Sequence, residues 1–494
     1  MRPALACIAA SILLTALIGV LGTSAMVPAL PGPGWQPPWS LGADPHPYLV
    51  VSLGAAALVL GGLGLLAALA VPPASFPAGL SRSLVLLGCV AAGLLAFLPP
   101  SGSGDHLNYA GYGRLAALGI DPYTHGAVDL PGDPVTDAVE DPWREEPSVY
   151  GPVATAVHFA ASWLAGDSVR LTIFLLALVN AAAFIATGLL IDRFVRDDPV
   201  ARPRAALLWT VNPLLLYQLV AGMHVDTLAI ACMVAALLAR SRPVTGGALL
   251  GLGVAIKLNA GLVALGPAWE LRRDPRRLVL MAGVALAVAA AGYAVVGFDA
   301  LGPVTRTSRS ISHASFWKLG QGWLQSTVGT GSAYRGEIQA GFLLLFCLLA
   351  WSLFRLVPRS VLAAPGRASR GLFAVSGEGG QAAVVVAGVL VVAYLFASPY
   401  VLPWYHGLAF GVLALTAASA VDRFLVVHLL VLSLAYLPAR VVAQPAELEW
   451  LLRTVVRAQV VPWLLLALTA ALLWWAWRAA GRVRTTPASG APPP

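Results

Sequence analysis

Asp105 and His106 stand side by side in SGSGDHLNYAGYGRL, a few residues beyond an apolar run that ends near Phe97. A carboxylate at that depth is partly desolvated, which raises its basicity, and a general base that takes a proton from a hydroxyl needs that property. The same aspartate could instead cap the helix that follows, since Asp is a good N-cap. His224 and Asp226, in GMHVDTL, follow Asn212-Pro213 at the end of a helical hairpin. Ionisable groups there either pair with each other or line a polar cavity. Lys257 ends the apolar run GALLGLGVAI. A buried lysine needs an anionic partner such as a phosphate, unless its stem lets the charge snorkel to the interface. Arg306, Arg309, Lys318 and Arg335 outnumber Asp299 and Glu337 in 298–339, which suits a phosphate. SPYVLPWYHG places Trp404, Tyr405 and His406 at another helix end, where an interfacial aromatic belt is the simpler reading of Trp404.

Long apolar segments must position these residues. The chain has 494 residues, is 58% hydrophobic and 11% charged, and has a mean hydropathy of +0.79. Soluble domains carry about a quarter charged residues, so this composition belongs to a polytopic membrane protein. A span needs about 20 apolar residues, and runs of that kind fall at 4–27, 48–71, 83–99, 169–192, 204–221, 225–240, 276–297, 340–357, 381–398, 403–420, 424–440 and 459–480. A shorter pair, 244–257 and 260–271, splits at Lys257 and reads as a broken hairpin. The first run also has features of a signal peptide, but it is long for one.

The formal charge of +8 comes from arginines in short inter-helix loops, which excludes a nucleic-acid face. The clusters at 193–204, 272–277, 355–370 and 478–484 lie on one side by the helix count. Taking that side as cytoplasmic puts both termini inside and 100–168 outside. By the same count 298–339 is external although basic. The expected organisation is N-terminal spans over 1–99, an extracytoplasmic catalytic loop over 100–168, a transmembrane core over 169–297, a basic outer loop over 298–339, C-terminal spans over 340–480 and a disordered tail over 481–494. The stretch 358–380 reads as a linker.

Residues 100–149 hold nine of the chain's 23 carboxylates against two arginines, Arg114 and Arg144. Most of these carboxylates read as solvated surface. Within 100–168, Asn108–Leu118 and Tyr150–Ala165 suit helices lying half-wet at the membrane interface. Cys7, Cys89, Cys232 and Cys347 lie singly in apolar runs and read as small core residues. No metal-ligand spacing occurs, and GALLGLG lacks the Lys-Ser/Thr of a nucleotide loop.

At these residues the chain resembles the GT-C glycosyltransferases, in particular the actinobacterial polyprenol-phosphomannose-dependent α-1,6-mannosyltransferases of lipomannan synthesis. The resemblance rests on Gly104-Asp105, Tyr112-Gly113-Arg114-Leu115, Gly119-Ile120-Asp121-Pro122-Tyr123, Asp141-Pro142-Trp143, Tyr150-Gly151-Pro152, Asn212-Pro213, His224-Val225-Asp226 and the run into Lys257. It covers about 100–325. It implies an all-α, GT-C-type bundle of about 12 to 14 transmembrane helices in the plasma membrane, with a large outer first loop bearing interfacial helices. It further implies inverting transfer from a polyprenyl-phosphate sugar to a glycan or glycolipid acceptor, without a cofactor or metal. Asp105 would be the base. His106 stands where many relatives have a second carboxylate, so either His106 or Asp121 could assist. Lys257, Arg306, Arg309 and Lys318 are the implied phosphate ligands, and Tyr112, Asp121, Tyr150, His224, Asp226 and His406 the implied sugar contacts.

Three other readings compete. The same scaffold could carry arabinose or glucose. A secondary transporter or flippase would place ionisable groups near the bilayer midplane in two repeated halves, whereas the polar groups here cluster at helix ends and no repeat is evident. A non-catalytic envelope subunit would tolerate loss of Asp105.

Overall fold

In hydrocarbon every backbone N–H and C=O must pair within the protein, and a chain this apolar meets that demand with helices. The computed structural model describes residues 1–72, 76–77, 79–141, 143–363, 381–440 and 442–485, and among them there is no strand. In chain order the principal helices are α1 (Arg2–Leu21), α2 (Pro47–Leu69), α3 (Leu80–Leu95), α4 (Asp105–Ala117), α5 (Pro152–Ala165), α6 (Val169–Val195), α7 (Ala201–Leu208), α8 (Asp226–Leu238) and α9 (Pro243–Ile256). They continue with α10 (Leu265–Glu270), α11 (Pro275–Val296), α12 (Leu301–Ser308), α13 (Trp317–Thr327), α14 (Arg335–Phe354), α15 (Gln381–Ala397), α16 (His406–Leu413), α17 (Val421–Ala435) and α18 (Val461–Thr485). The chain is an α-helical polytopic membrane protein. By length and composition α1, α2, α6, α11, α14 and the continuous helical stretch Ala446–Gly481 can each cross a bilayer, and five shorter apolar helices pack among them.

Two expected spans are not single helices. In 204–221, α7 stops at Leu208, and the chain restarts at Pro213 in a short turn that leads into the π-helical turn Leu216–Ala221. Proline lacks the N–H that would continue the helix, and Asn212 Oδ1 accepts from the N–H groups of Leu214 and Leu215 instead. The expected span 403–420 reduces to α16. At the hairpin, Lys257 is extended (φ −151°, ψ 117°) between α9 and a 3₁₀ stretch, Leu258–Ala264. Residues 364–380 of the expected linker and 486–494 of the expected tail lie outside the described residues, while 481–485 continue α18.

The arginine loops gather at one end of the bundle. There Arg204 forks onto Asp422 at 2.7 Å, Arg202 onto Asp192, and Arg240 approaches Glu270. The polar segment 100–168 lies at the opposite end, and it is built rather than merely solvated. Asp133 binds Arg114, Asp137 binds Arg144, and Glu140 forks onto Arg440. The α4 and α5 helices pack on each other, with Tyr109 and Leu115 buried rather than half-wet. Cys347 faces outward on α14 instead of into the core.

Candidate active site

The approach to α4 is fixed by its backbone. Ser101 N–H donates to Ala221 O, and Gly102 N–H donates to Met26 O. Gly102 has φ +75°, and a Cβ there would lie 2.6 Å from the Tyr217 hydroxyl, so only glycine fits. Asp105 then begins α4, where the helix dipole favours a carboxylate. The N-cap is Gly104, and Ser103 Oγ accepts from the Asp105 N–H at 3.1 Å, so the Asp105 carboxylate is not spent as a cap.

The Asp105 carboxylate turns to His224. Its Oδ2 lies 3.4 Å from His224 Nδ1, close contact without good hydrogen-bond geometry, and the carboxylate keeps 23% exposure while the imidazole has none. His224 follows Met223, a non-glycine residue at φ +54°, a conformation that costs of order 1 kcal/mol and marks a constrained turn. Trp404 lies flat on the His224 ring, with centroids 3.7 Å apart and planes 13° apart. Trp404 is therefore buried in the site and not part of an interfacial belt.

Asp226 does not pair with His224. Both of its oxygens accept from Lys257 Nζ at 2.7 Å, and the two side chains are 7% and 13% exposed. The ammonium also sits 4.3 Å from the Tyr405 ring centroid and 5.7 Å from that of Tyr150. The Tyr150 hydroxyl donates to Tyr109 Oη at 3.3 Å, and Tyr109 stacks on His158. A carboxylate with partial access is thus held in a wall of imidazole and aromatic rings, with a compensated Asp–Lys pair beside it.

These surroundings alter the acidity expected of Asp105. Burial pushes its carboxyl up, but the His224 ring and the Lys257 charge outweigh burial and hold it below its ordinary value. The rise in basicity expected from desolvation is thereby reversed, and Asp105 is ionised at neutral pH. His106 is wholly buried; burial first, then the Arg440 charge, drive it down to about 3, so it is a neutral imidazole. Among the described residues both of its ring nitrogens lack hydrogen-bond partners, as do those of His224.

The other expected residues divide. Tyr112 is buried and its hydroxyl donates to Glu146 O at 3.0 Å, which fastens the acidic segment to α4. Asp121 stands apart from Asp105: its Oδ1 accepts from Tyr123 N–H and its Oδ2 from Thr124, so it closes a local turn. His406 points into the helix core, with Nδ1 2.9 Å from Pro403 O and Nε2 2.7 Å from His428 Nδ1. No ring nitrogen is left for a sugar. Arg306, on α12, and Arg309, just past its end, are exposed, and no contact joins them to Asp105 among the described residues. Lys318 donates to Gln321 Oε1 at 3.0 Å. Among the described residues no group of three or more His, Cys, Asp or Glu is arranged to hold a metal ion.

Sequence reasoning did not anticipate the stacking role of Trp404, the Lys257–Tyr405 contact or the Glu140–Arg440 fork. The motif PWYH flags the aromatics, but only tertiary contact separates Trp404 and Tyr405 from His406.

Fold and site define a polytopic helical membrane protein with a carboxylate–imidazole centre at one end of its bundle. Residues 8–273 match the profile of the family described as alpha-(1->6)-mannopyranosyltransferase, N-terminal domain, and the chain belongs to that family. The match includes Asp105, His224, Asp226 and Lys257. Among similar proteins is alpha-(1->6)-mannopyranosyltransferase A of Corynebacterium glutamicum, 29% identical over 178 residues, which cover 35% of this chain and 36% of the relative. A probable alpha-(1->6)-mannopyranosyltransferase of Mycolicibacterium smegmatis is 28% identical over 312 residues, covering 53% and 55%. Alpha-(1->6)-mannopyranosyltransferase A of Mycobacterium tuberculosis is 27% identical over 233 residues, covering 47% and 43%. The matched stretches thus span between about a third and just over half of these relatives' length.

Proposed function

We propose that this chain is a membrane-embedded mannosyltransferase that moves mannose from a polyprenyl-phosphate donor to an acceptor mannoside, forming an α-1,6 linkage at the extracytoplasmic face of the plasma membrane. The observation that carries this reading is the Asp105 carboxylate, ionised and partly accessible, set against His224 in a wall of stacked rings. The names of the relatives supply the sugar and the linkage.

The acceptor hydroxyl oxygen attacks the anomeric carbon as Asp105 takes its proton. A new C–O bond forms to the acceptor, the C–O bond to the phosphate breaks, and its electron pair leaves with the lipid phosphate. Attack opposite the leaving group turns a β-linked donor into an α-linked product. A carboxyl of lowered pKa is a weak base before attack, but the hydroxyl becomes more acidic as its bond to carbon forms, so transfer late in the step suits this group. His224, fully buried and held flat by Trp404, sets its ring against the Asp105 carboxylate and so positions the base. Aromatic faces such as Tyr405 and Tyr150 suit the apolar faces of a sugar ring.

The test supplies purified protein with radiolabelled polyprenyl-phosphate mannose and a synthetic mannoside. The native chain is expected to form an α-1,6-linked product, and Asp105→Asn to lower turnover at least about a hundredfold, the low end of what a general base contributes. Full turnover by a folded Asp105→Asn protein would sink the assignment of the base. Transfer from an arabinose or glucose donor in place of mannose would overturn the choice of sugar.

A further inference from the structure

Arg457 lies in a π-helical stretch, Trp450–Val460, that runs into α18 within the continuous spanning stretch. Helix defects of this kind are frequent at functional sites. Its Nε donates to Ala435 O at 2.7 Å, and its guanidinium covers the Tyr436 ring 4.6 Å from the centroid. Its two terminal nitrogens make no hydrogen bond, and no carboxylate pairs with it among the described residues. The neighbouring Arg453 is already bound to Glu449. A half-buried guanidinium in a spanning segment is costly without an anion.

Other groups gather round it. His313 lies within electrostatic reach of Lys318, Arg457 and Arg453, and Lys318 within reach of Arg335. Burial first, then these like charges, hold both His313 and Lys318 below their ordinary values. Ser312, next to His313 in the chain, bonds to the same Tyr436 whose ring Arg457 covers, which brings this segment to the guanidinium. Lys318 has no carboxylate partner among the described residues and contacts only the neutral Gln321 amide.

This basic cluster adjoins the candidate active site through Tyr436. The Tyr436 hydroxyl bonds to Ser312 Oγ at 2.8 Å, its ring meets Trp404 edge-on at 6.1 Å, and Trp404 stacks on the His224 that faces Asp105. Lys257, in contrast, has its charge compensated by Asp226 and is not free for a second anion.

We infer that Arg457 and Lys318, with His313, form the seat for the phosphate of a prenyl-chain phosphate lipid. Deepening the transferase reading on which it rests, this places the leaving group beside Tyr436, which touches the Trp404 that stacks on the His224 facing Asp105. Arg457 can present two parallel donors to phosphate oxygens and Lys318 a point charge, the complement a departing phosphate needs.

The experiment titrates the full chain in detergent with farnesyl monophosphate, farnesol, inorganic phosphate and phosphatidylglycerol, reading binding by tryptophan fluorescence. The native protein is expected to bind farnesol at least tenfold more weakly than farnesyl monophosphate. Arg457→Gln and Lys318→Gln should each weaken farnesyl monophosphate binding about ten- to a hundredfold, the range for a lost charge-assisted hydrogen bond. Arg457→Lys should recover part of the loss. Should Arg457→Gln not elute as a folded species, Lys318→Gln decides. Native affinity in both neutral variants overturns the inference, as does equal affinity for phosphatidylglycerol, while equal affinity for inorganic phosphate marks a free-phosphate site and overturns the lipid assignment. Tight, Arg457-dependent binding without mannose transfer would leave this seat standing and remove the proposed function; transfer with unaltered binding in both variants would do the reverse.

Discussion

Replacing Lys257 tests whether its charge serves the fold or the substrate. Nζ lies 2.7 Å from both oxygens of Asp226, and the two side chains are 13% and 7% exposed, so neither charge can turn to water. Lys257→Met strands the Asp226 carboxylate, and removing one partner of a buried pair costs about 3–5 kcal/mol. The lost contact with Tyr405, 4.3 Å from the ammonium, accounts for about 0.5–2 kcal/mol of that change. Removing both charges, in Lys257→Met/Asp226→Asn, takes away the stranded carboxylate and should restore most of the stability. Reversible unfolding in mixed micelles, measured for wild type, both single variants and the double variant, gives the coupling energy directly. A coupling above about 2 kcal/mol is expected for a desolvated pair. A value below about 0.5 kcal/mol, with Lys257→Met as stable as wild type, would refute the reasoning, because the pair would then behave like an exposed one. The same double variant should keep its affinity for farnesyl monophosphate, since in the native chain Lys257 is committed to Asp226.

Two further outcomes follow from the site's geometry. Asp105 is held below its ordinary pKa, so its contribution to stability is present above the ordinary carboxylate range and is lost as pH falls through its own lowered value. Its charge should persist well below pH 5, and kcat/KM measured against pH should show no acidic limb above about 5 that moves in Asp105→Glu; such a limb would contradict the assignment. Gly151→Ala would place a Cβ 2.2 Å from Ala255 O, against backbone that cannot swing aside, where Gly151 N–H already donates to Ile256 O. This should cost at least about 1–3 kcal/mol and loosen the start of α5 beside Lys257, seen as a lower unfolding midpoint; an unchanged midpoint would show that α9 yields there.

Much of the site was legible because charge in an apolar chain is conspicuous. Asp105, His224, Asp226 and Lys257 stand out against their flanking runs, and all four meet within one cluster. Their pairing was not legible. Residues 105 and 224, or 226 and 257, come together only when α4, α8 and α9 pack, and no local pattern encodes which acid faces which base. His406 illustrates the limit. It adjoins Trp404 and Tyr405 in sequence, yet a step of two residues along the helix turns to the opposite face and is enough to send Trp404 to His224 and His406 to His428. Asp121 looked like a second carboxylate for the site and proves to close a turn, since a short side chain in a loop finds its nearest N–H groups first.

The sequence by itself determined that this chain folds as membrane helices, because its composition leaves the backbone no other way to satisfy its hydrogen bonds. It also determined that scarce ionisable residues mark the chemistry. Tertiary structure decided which of them share a cluster, that Asp105 is ionised rather than made more basic, and that Arg457, an undistinguished arginine by sequence, lies next to the site without a counter-charge among the described residues. The reason is physical. Helix formation depends on neighbours along the chain, whereas acidity and charge compensation depend on distances across it, which only packing sets.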